Sequence, residues 1–437
     1  MKRFIQTLKN IFSIEELRNR ILYTLLLISV YRLGYYIVLP GVDESKLNID
    51  TGGLLGLLDT FLGGAFSKAS IFALGIMPYI SASIAIQLLT MALPYFQKMQ
   101  KEGESGRKKL NQITRVLTIF VTIAQSISYL QTTISTDALL ISRASFTISS
   151  VFILTAGTIF CMWLGERITD KGIGNGTSML IMIGIVSRFP KAIFQEASSR
   201  GSGEALIFVL EIVALFLVVM FAVALTQAVR RIPIQYAKQV VGNKVMGGQR
   251  QYLPLKLNTS GVMPIIFAQA LMFIPSLVAG LFAEKSDFAS SIATIFNDYT
   301  TWQYNGLFAT LIIVFTFFYT AIAINPQQIA DDMKRGGGFI PGVKPGLATS
   351  DFIATVLDRI TLPGGILLAV VAILPSLASL TGMTREFAQF FGGTSLLILV
   401  GVVLDTLQQV ESYLLMKRYE GLMKSGRVKG RTETVAA

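Results

Sequence analysis

Long apolar stretches alternate with short polar ones along most of this 437-residue chain. About 20 apolar residues in a helix are enough to cross the ~30 Å hydrocarbon layer of a bilayer. The pattern therefore predicts an all-α multi-spanning membrane protein with ten transmembrane helices, the fifth of them short. The predicted spans are residues 21–38, 70–93, 116–134, 146–164, 176–189, 205–228, 262–282, 307–324, 362–380 and 395–415.

Five predicted spans lie on each side of the polar segment 186–204. Because five is an odd number, the second half must run through the membrane in the opposite direction, as in the inverted repeats of many transport proteins. We predict two halves on this basis, residues 1–190 and 191–437. No residue-level repeat accompanies them, so the prediction depends on helix count alone.

Charge adds an orientation to this picture. Only 15% of the residues are charged, against 52% hydrophobic, yet the formal net charge is +12. Of the 38 Lys and Arg residues, 29 fall in the N-terminus, the C-terminal tail and every second loop, and 8 fall in the opposite loops. By the positive-inside rule, this bias predicts that both termini are cytoplasmic. It also accounts for the positive charge without a nucleic-acid partner.

Two of the predicted cytoplasmic loops, residues 229–261 and 325–361, are longer than a turn between helices requires. In the first loop, Ile232, Ile234 and Tyr236 alternate with polar residues, and Gly242 and Asn243 follow as a turn signal. This pattern predicts a β-hairpin that projects from the membrane. The second loop is rich in glycine and turn signals.

Little in the sequence favours catalysis. The chain has no His and a single Cys161, which removes the commonest general base and metal ligand and excludes an internal disulfide. Gly172, Gly174 and Gly176 lack the Lys-Ser/Thr pair and the preceding strand of a phosphate-binding loop, so they indicate a tight turn. We expect neither an enzyme nor a bound cofactor or metal.

The second span reads SIFALGIMPYISASIAIQLL from Ser70. Ile76, Ile80 and Ile84 share one helix face, and Pro78 predicts a kink. Such a stripe is also typical of ordinary lipid-facing or core surface. The preceding segment, GGLLGLLDTFLGGAFS, is too short to cross a membrane, which leaves an interfacial helix and a re-entrant segment as equal alternatives.

Together with WLGERITDKGIGNGTSMLI, KEGESGRKK, YAKQ, IPGVKPG and FGGTSLLI, these segments resemble the SecY family of protein-translocation channels. The match is distributed over all ten spans. The resemblance implies an hourglass pore between the two inverted halves, sealed at its waist by apolar side chains and on the outside by a plug at residues 54–66. The implied pore ring is Ile76, Ile80, Thr177, Ile181, Ile266 and Ile398, with Thr177 departing from the family's usual isoleucine. The implied plug residues are Leu54, Leu55, Leu57, Leu58, Phe61, Leu62 and Phe66.

The resemblance also implies a lateral gate between spans two and seven, through which hydrophobic segments pass into lipid. Its candidate residues are Ser81, Gln87, Gln125, Asn258 and Ile274. The long basic loops would dock the motor ATPase SecA and the ribosome, and SecE and SecG would accompany the chain as small membrane subunits. Signal peptides and unfolded preproteins would be the cargo, and the cytoplasmic (inner) membrane the location. Candidate docking residues are Arg230, Arg231, Lys238, Lys244, Lys344 and Arg359.

A secondary transporter is the main alternative, because it too can have ten helices in inverted halves. Coupled transport usually places ionisable residues in the middle of the membrane. The candidates here are Arg32, Glu211, Asp405 and Glu411. Asp405 is the one that we expect farthest from a span end. The isoleucine face and the two long basic loops favour the channel.

Overall fold

The computed structural model describes residues 12–47, 59, 62–201, 204–236, 239–241, 244–246, 250–269, 271–272, 298 and 300–424. The chain divides into two compact units. The first unit is Met1–Arg188 with Val402–Ala437, and the second unit is Phe189–Gly401. The predicted inverted halves concern the direction of the helices through the membrane, and they stay a prediction.

Helices make up most of the described chain. In order they are α1 (Glu15–Tyr35), α2 (Met77–Ala92), α3 (Pro94–Lys101), α4 (Glu104–Thr133), α5 (Arg143–Lys171), α6 (Gly176–Arg200), α7 (Ala205–Gln227), α8 (Trp302–Ala323), α9 (Pro326–Arg335), α10 (Leu347–Leu380), α11 (Arg385–Ala388) and α12 (Gly393–Lys424).

The prediction of a mostly helical protein with several membrane-spanning helices is confirmed. Among the described residues, seven helices are long and apolar enough to span a bilayer, and the α2–α3 pair, bent by 102°, makes eight if it forms one span. The bend falls at Pro94, which cannot donate a backbone hydrogen bond. Predicted span 21–38 lies largely in α1. Predicted span 262–282 is described as helix at 263–269 and 271–272, and its remainder lies outside the described residues.

Helix α6 is longer than the sequence indicated. The predicted fifth span ended at residue 189, whereas the helix continues past Pro190 to Arg200. Ala192 and Glu196 are both fully buried, and Arg200 is nearly so, so every fourth residue of this extension faces the interior. A criterion based on apolar length misses such a helix, because two of its three inward-facing residues are charged.

The first long loop forms strands β1 (Val229–Tyr236), β2 (Gln239–Val241), β3 (Lys244–Met246) and β4 (Arg250–Lys256). β2 and β3 pair antiparallel, as do β1 and β4, in which Ile232 lies opposite Leu253. These pairings confirm the predicted hairpin. The second long loop adds a short strand, β5 (Gly338–Phe339), on the other side of β1.

The two long loops thus form one folded body, which we call the loop domain: residues 229–236, 250–256, 326–343 and 347–360. Asn325 caps helix α9, its Oδ1 accepting hydrogen bonds from the amides of Gln327 and Gln328. A shared apolar core fills the space between sheet and helices. Its buried members are Ile232, Ile234, Leu255, Met333, Ile340, Ile353 and Leu357.

Candidate functional site: an apolar waist and a plug seat

Three of the proposed ring residues lie together in the first unit. Ile76 is 3% exposed at the start of α2, and the partly buried Ile80 and Ile181 belong to the same apolar cluster. Pro78 occupies the first turn of α2, where its missing N–H costs nothing, so the helix starts next to the ring instead of kinking within it. In the second unit, Ile398 is buried on α12 and Ile266 is partly buried.

Thr177 differs from the other ring candidates because its polar atoms are used locally. Its hydroxyl donates to Asn175 Oδ1 at 2.6 Å, and its amide donates to the same oxygen at 3.1 Å. This contact caps the start of α6. A Cβ added to Gly165 would lie 3.2 Å from Thr177 Cγ2 and 3.5 Å from Ile76 Cδ1. The threonine therefore offers its methyl group to helix α5 and keeps its hydroxyl satisfied.

The end of the proposed plug lies in a closely fitted seat. Leu62 and Phe66 are buried, while Leu54, Leu55, Leu57, Leu58 and Phe61 lie outside the described residues. The Phe66 ring packs 4.7 Å from that of Tyr129 on α4. The Tyr129 hydroxyl donates to the Phe66 carbonyl oxygen at 2.7 Å. One tyrosine thus holds both the side chain and the backbone of this segment.

Two glycines allow the close approach of this segment to its neighbours. Gly63 and Gly64 have φ values of +66° and +90°, a conformation that residues with side chains rarely adopt. A Cβ on Gly63 would lie 2.9 Å from the backbone of Gly184 on α6, and one on Gly64 would lie 2.8 Å from the Tyr35 hydroxyl. A side chain at Gly63 would collide with the Gly184 backbone, and one at Gly64 would require the Tyr35 hydroxyl to move.

The seat also contains charges that the sequence analysis did not connect. Asp59 is fully buried, and its carboxylate lies 3.0 Å from the Arg188 guanidinium. The Arg32 guanidinium stacks on the Tyr35 ring at 4.5 Å, and Lys68 Nζ lies 5.1 Å from the same ring. Arg32 was noted as an isolated charge in the first span. The structure places Arg32 next to Tyr35 and Gly63.

The gate candidates are distributed between the two units. Ser81 is exposed on α2, with its hydroxyl donating to the Met77 carbonyl oxygen, and Gln87 and Gln125 are partly buried on α2 and α4. Asn258, in the second unit, is buried and accepts a hydrogen bond from Ser260. Ile274 lies outside the described residues.

The docking candidates lie on or near the loop domain. Arg230 and Arg231 are exposed on β1, whose Ile232 and Ile234 point into the core. Lys344 and Arg359 are also exposed. Lys244 lies in β3, and Lys238 is outside the described residues.

Comparison with known proteins identifies the family. The SecY family model matches residues 70–407. The protein translocase subunit SecY of Streptomyces griseus is 42% identical over 431 residues, which cover 94% of this chain and 98% of that protein. The SecY of Halalkalibacterium halodurans is also 42% identical, over 96% of this chain and 100% of the relative. The chain belongs to the SecY family. It is a protein-conducting channel subunit of the Sec translocase, a multi-pass membrane protein and not an enzyme.

Solved structures support the SecY fold. A protein-conducting channel aligns with a TM-score of 0.63 and 15% identity, over 90% of this chain and 92% of that one. A second structure, of a SecY protein whose plug domain stabilises the closed state, has a TM-score of 0.60 with 16% identity and the same coverages. Sec61 in a canine ribosome–channel complex also has a TM-score of 0.60, with 14% identity, and again covers 90% and 92%.

The ionisable residues of this SecY-family chain fit a channel better than a coupled transporter. Asp405 and Glu411 are exposed on α12. Among the described residues, the buried carboxylates are Asp59, Glu196 and Glu211, and each pairs with an arginine. In the second unit, Arg200 contacts both Glu196 at 3.0 Å and Glu211 at 2.6 Å. Each of these buried carboxylates therefore has an arginine that balances its charge.

Proposed function

We propose that the six ring residues form the sealed waist of the channel and that residues 54–66 plug it from outside. The observation that carries this proposal is the clustering of Ile76, Ile80 and Ile181 in one apolar patch of the first unit. An apolar constriction resists ions by remaining dewetted. Its flexible aliphatic side chains can close around a moving polypeptide without binding one particular sequence.

The plug seat supports the second part of the proposal. Phe66 and Leu62 fill an apolar pocket in the first unit, and the Tyr129 hydroxyl fixes the backbone beside them. A related SecY protein has a plug domain that stabilises its closed state. In this chain the plug would close the outer side of the waist until cargo displaces it.

A signal or transmembrane segment would leave sideways through a gate lined by Ser81, Gln87, Gln125, Asn258 and Ile274. Lipid solvates such a segment better than an aqueous pore does, so partition requires only an opening between spans two and seven. Unfolded secretory chains would continue across the membrane through the waist. The exposed position of Ser81 on α2 is consistent with this role.

The loop domain would dock the SecA motor and the ribosome on the cytoplasmic side, with both chain termini on that side of the cytoplasmic membrane. Arg230 and Arg231 are exposed on strand β1 and suit RNA phosphates or acidic protein surfaces. Translocon relatives have been solved on ribosomes, including canine Sec61 and yeast Ssh1. SecE and SecG would complete the membrane complex, and preproteins would be the cargo.

Ion conductance of channels reconstituted in planar bilayers tests the waist. Ile80→Lys and Ile266→Lys place a charge in the constriction, so we expect water to enter and resting conductance to rise. Ile80→Leu keeps the site apolar and is the matched control. Lysine channels that conduct no more than the parent would show that the ring is assigned incorrectly.

A further inference from the structure

Asp59 joins the proposed plug to helix α6 through a buried ion pair. Its side chain is 0% exposed, that of Arg188 is 15% exposed, and Arg188 Nη2 lies 3.0 Å from Asp59 Oδ2. Among the described residues of the first unit, Asp59 is the only buried carboxylate. The pair therefore differs from the solvent-exposed salt bridges on the same unit, which contribute little to stability.

The same carboxylate is fixed to its own segment. Asp59 Oδ1 accepts a hydrogen bond from the Ser67 amide at 2.9 Å, and the Asp59 carbonyl oxygen accepts one from the Gly64 amide at 2.8 Å. These bonds tie Asp59 to Gly64 and Ser67 of the same segment. One carboxylate oxygen thus contacts Ser67 while the other contacts α6, so displacement of Asp59 together with Gly64 and Ser67 must separate Asp59 from Arg188.

Separation of this pair is unfavourable for two reasons. A buried charge that loses its partner is strongly destabilised, because the low-dielectric surroundings do not replace the lost interaction. The seat also contains Arg32 and Lys68, both within about 5 Å of the Tyr35 ring. Removal of the Asp59 carboxylate would therefore leave a cluster of positive charges without their buried anion.

We infer that the Asp59–Arg188 ion pair is a latch that holds the plug in its seat and sets how strongly a signal segment must bind before the channel opens. This inference rests on the proposed plug and adds the contact that controls when the plug leaves its seat. The latch favours the closed state at rest. It also makes opening selective, since a weakly hydrophobic signal supplies less free energy for separating the charges.

Asp59→Asn tests the latch with little change in shape, because the amide oxygen can still accept the Ser67 hydrogen bond. We expect resting ion conductance in planar bilayers to rise about ten-fold or more. This corresponds to a tenfold shift of the equilibrium between closed and open channels towards the open state. Export of a precursor with a shortened signal should also increase. Arg188→Gln should act in the same way.

The double variant Asp59→Asn, Arg188→Gln provides a second criterion. Two residues that act through one contact are non-additive, so the double variant should conduct no more than the leakier single variant. Additive leaks would contradict a shared latch. The matched control is Arg115→Gln, which breaks a half-exposed pair with Glu166 at 2.8 Å on the same unit and should leave conductance unchanged.

Deletion of residues 54–66 separates failure of the latch from failure of the plug. If the deletion raises resting conductance but Asp59→Asn and Arg188→Gln do not, the latch is wrong and the plug stands. If the deletion leaves conductance unchanged, the plug assignment itself is wrong. A leak in both the deletion and the two single variants supports the latch.

Discussion

Truncation of Ile353 should loosen both long loops at once, because its side chain lies in the core that joins them. Ile353 is 0% exposed on α10 and belongs to the same cluster as Ile234 of β1 and Ile340, which follows β5. Ile353→Ala removes three buried carbon atoms and leaves a cavity, which typically costs about 2–5 kcal/mol. Full burial places this site in the middle of that range, at about 3 kcal/mol.

Amide hydrogen exchange measures this loss directly in the folded protein. If the loop domain opens as one unit, a cost of about 3 kcal/mol should speed exchange of the β1 and β5 amides by roughly 100-fold. Ile353→Val, with one carbon fewer than the parent, should cost about 1 kcal/mol and give an intermediate rate. Thr355→Ala, on the exposed side of the same helix, is the control.

The result that refutes this reasoning is specific. If Ile353→Ala speeds exchange in α10 and β5 but leaves β1 at the parent rate, the two loops do not share a core. The loop domain, which we propose as the docking surface, would then consist of two separate loops.

Three further predictions concern docking, the gate and the buried charges. Charge reversal at Arg230 and Arg231 should weaken motor or ribosome binding most at low salt, where the parent contact is least screened. A variant that binds both partners as tightly as the parent at low salt would contradict docking at these residues. Cysteines at Ser81 and Ile274, with the native cysteine replaced, should crosslink on oxidation and block export until reduced; export that continues through the crosslink would exclude a moving gate. Arg200→Ala should lower stability by about 3–5 kcal/mol in thermal unfolding of the purified protein, because two buried carboxylates lose their partner, and an unchanged transition would show that they are not compensated by this arginine.

The sequence was sufficient for those features that depend on local pattern. Within the described part of the chain, apolar length located eight of the ten predicted spans as helices long and apolar enough to cross a bilayer, if the bent α2–α3 pair counts as one. Alternation at Ile232 and Ile234 predicted strand β1, and the Gly242–Asn243 turn signal predicted the hairpin that β2 and β3 form. The isoleucine spacing of the second span identified a shared face, and the structure places Ile76 and Ile80 in one cluster with Ile181. The span lengths, the turn signal and the Ile76–Ile80 spacing can each be read within one continuous stretch of sequence.

The features that sequence reasoning missed depend on contacts between distant segments. The two-residue strand β5 has no pattern of its own and is defined only by its pairing with β1. The extension of α6 to Arg200 is polar by composition, and its burial follows from ion pairs with residues on other turns and on α7. The pairing of Asp59 with Arg188 had no local signal, since the two residues are 129 positions apart in the sequence.

Site-specific photocrosslinking of a translocating chain tests the central claim most directly. A photoreactive amino acid would replace Ile80 in the proposed waist or Phe216, which is 64% exposed on α7. A secretory precursor would then be stalled partway across reconstituted vesicles and irradiated. The account predicts that the precursor crosslinks to position 80 and not to position 216. Adducts at position 216 with none at position 80 would contradict passage of the polypeptide through this waist.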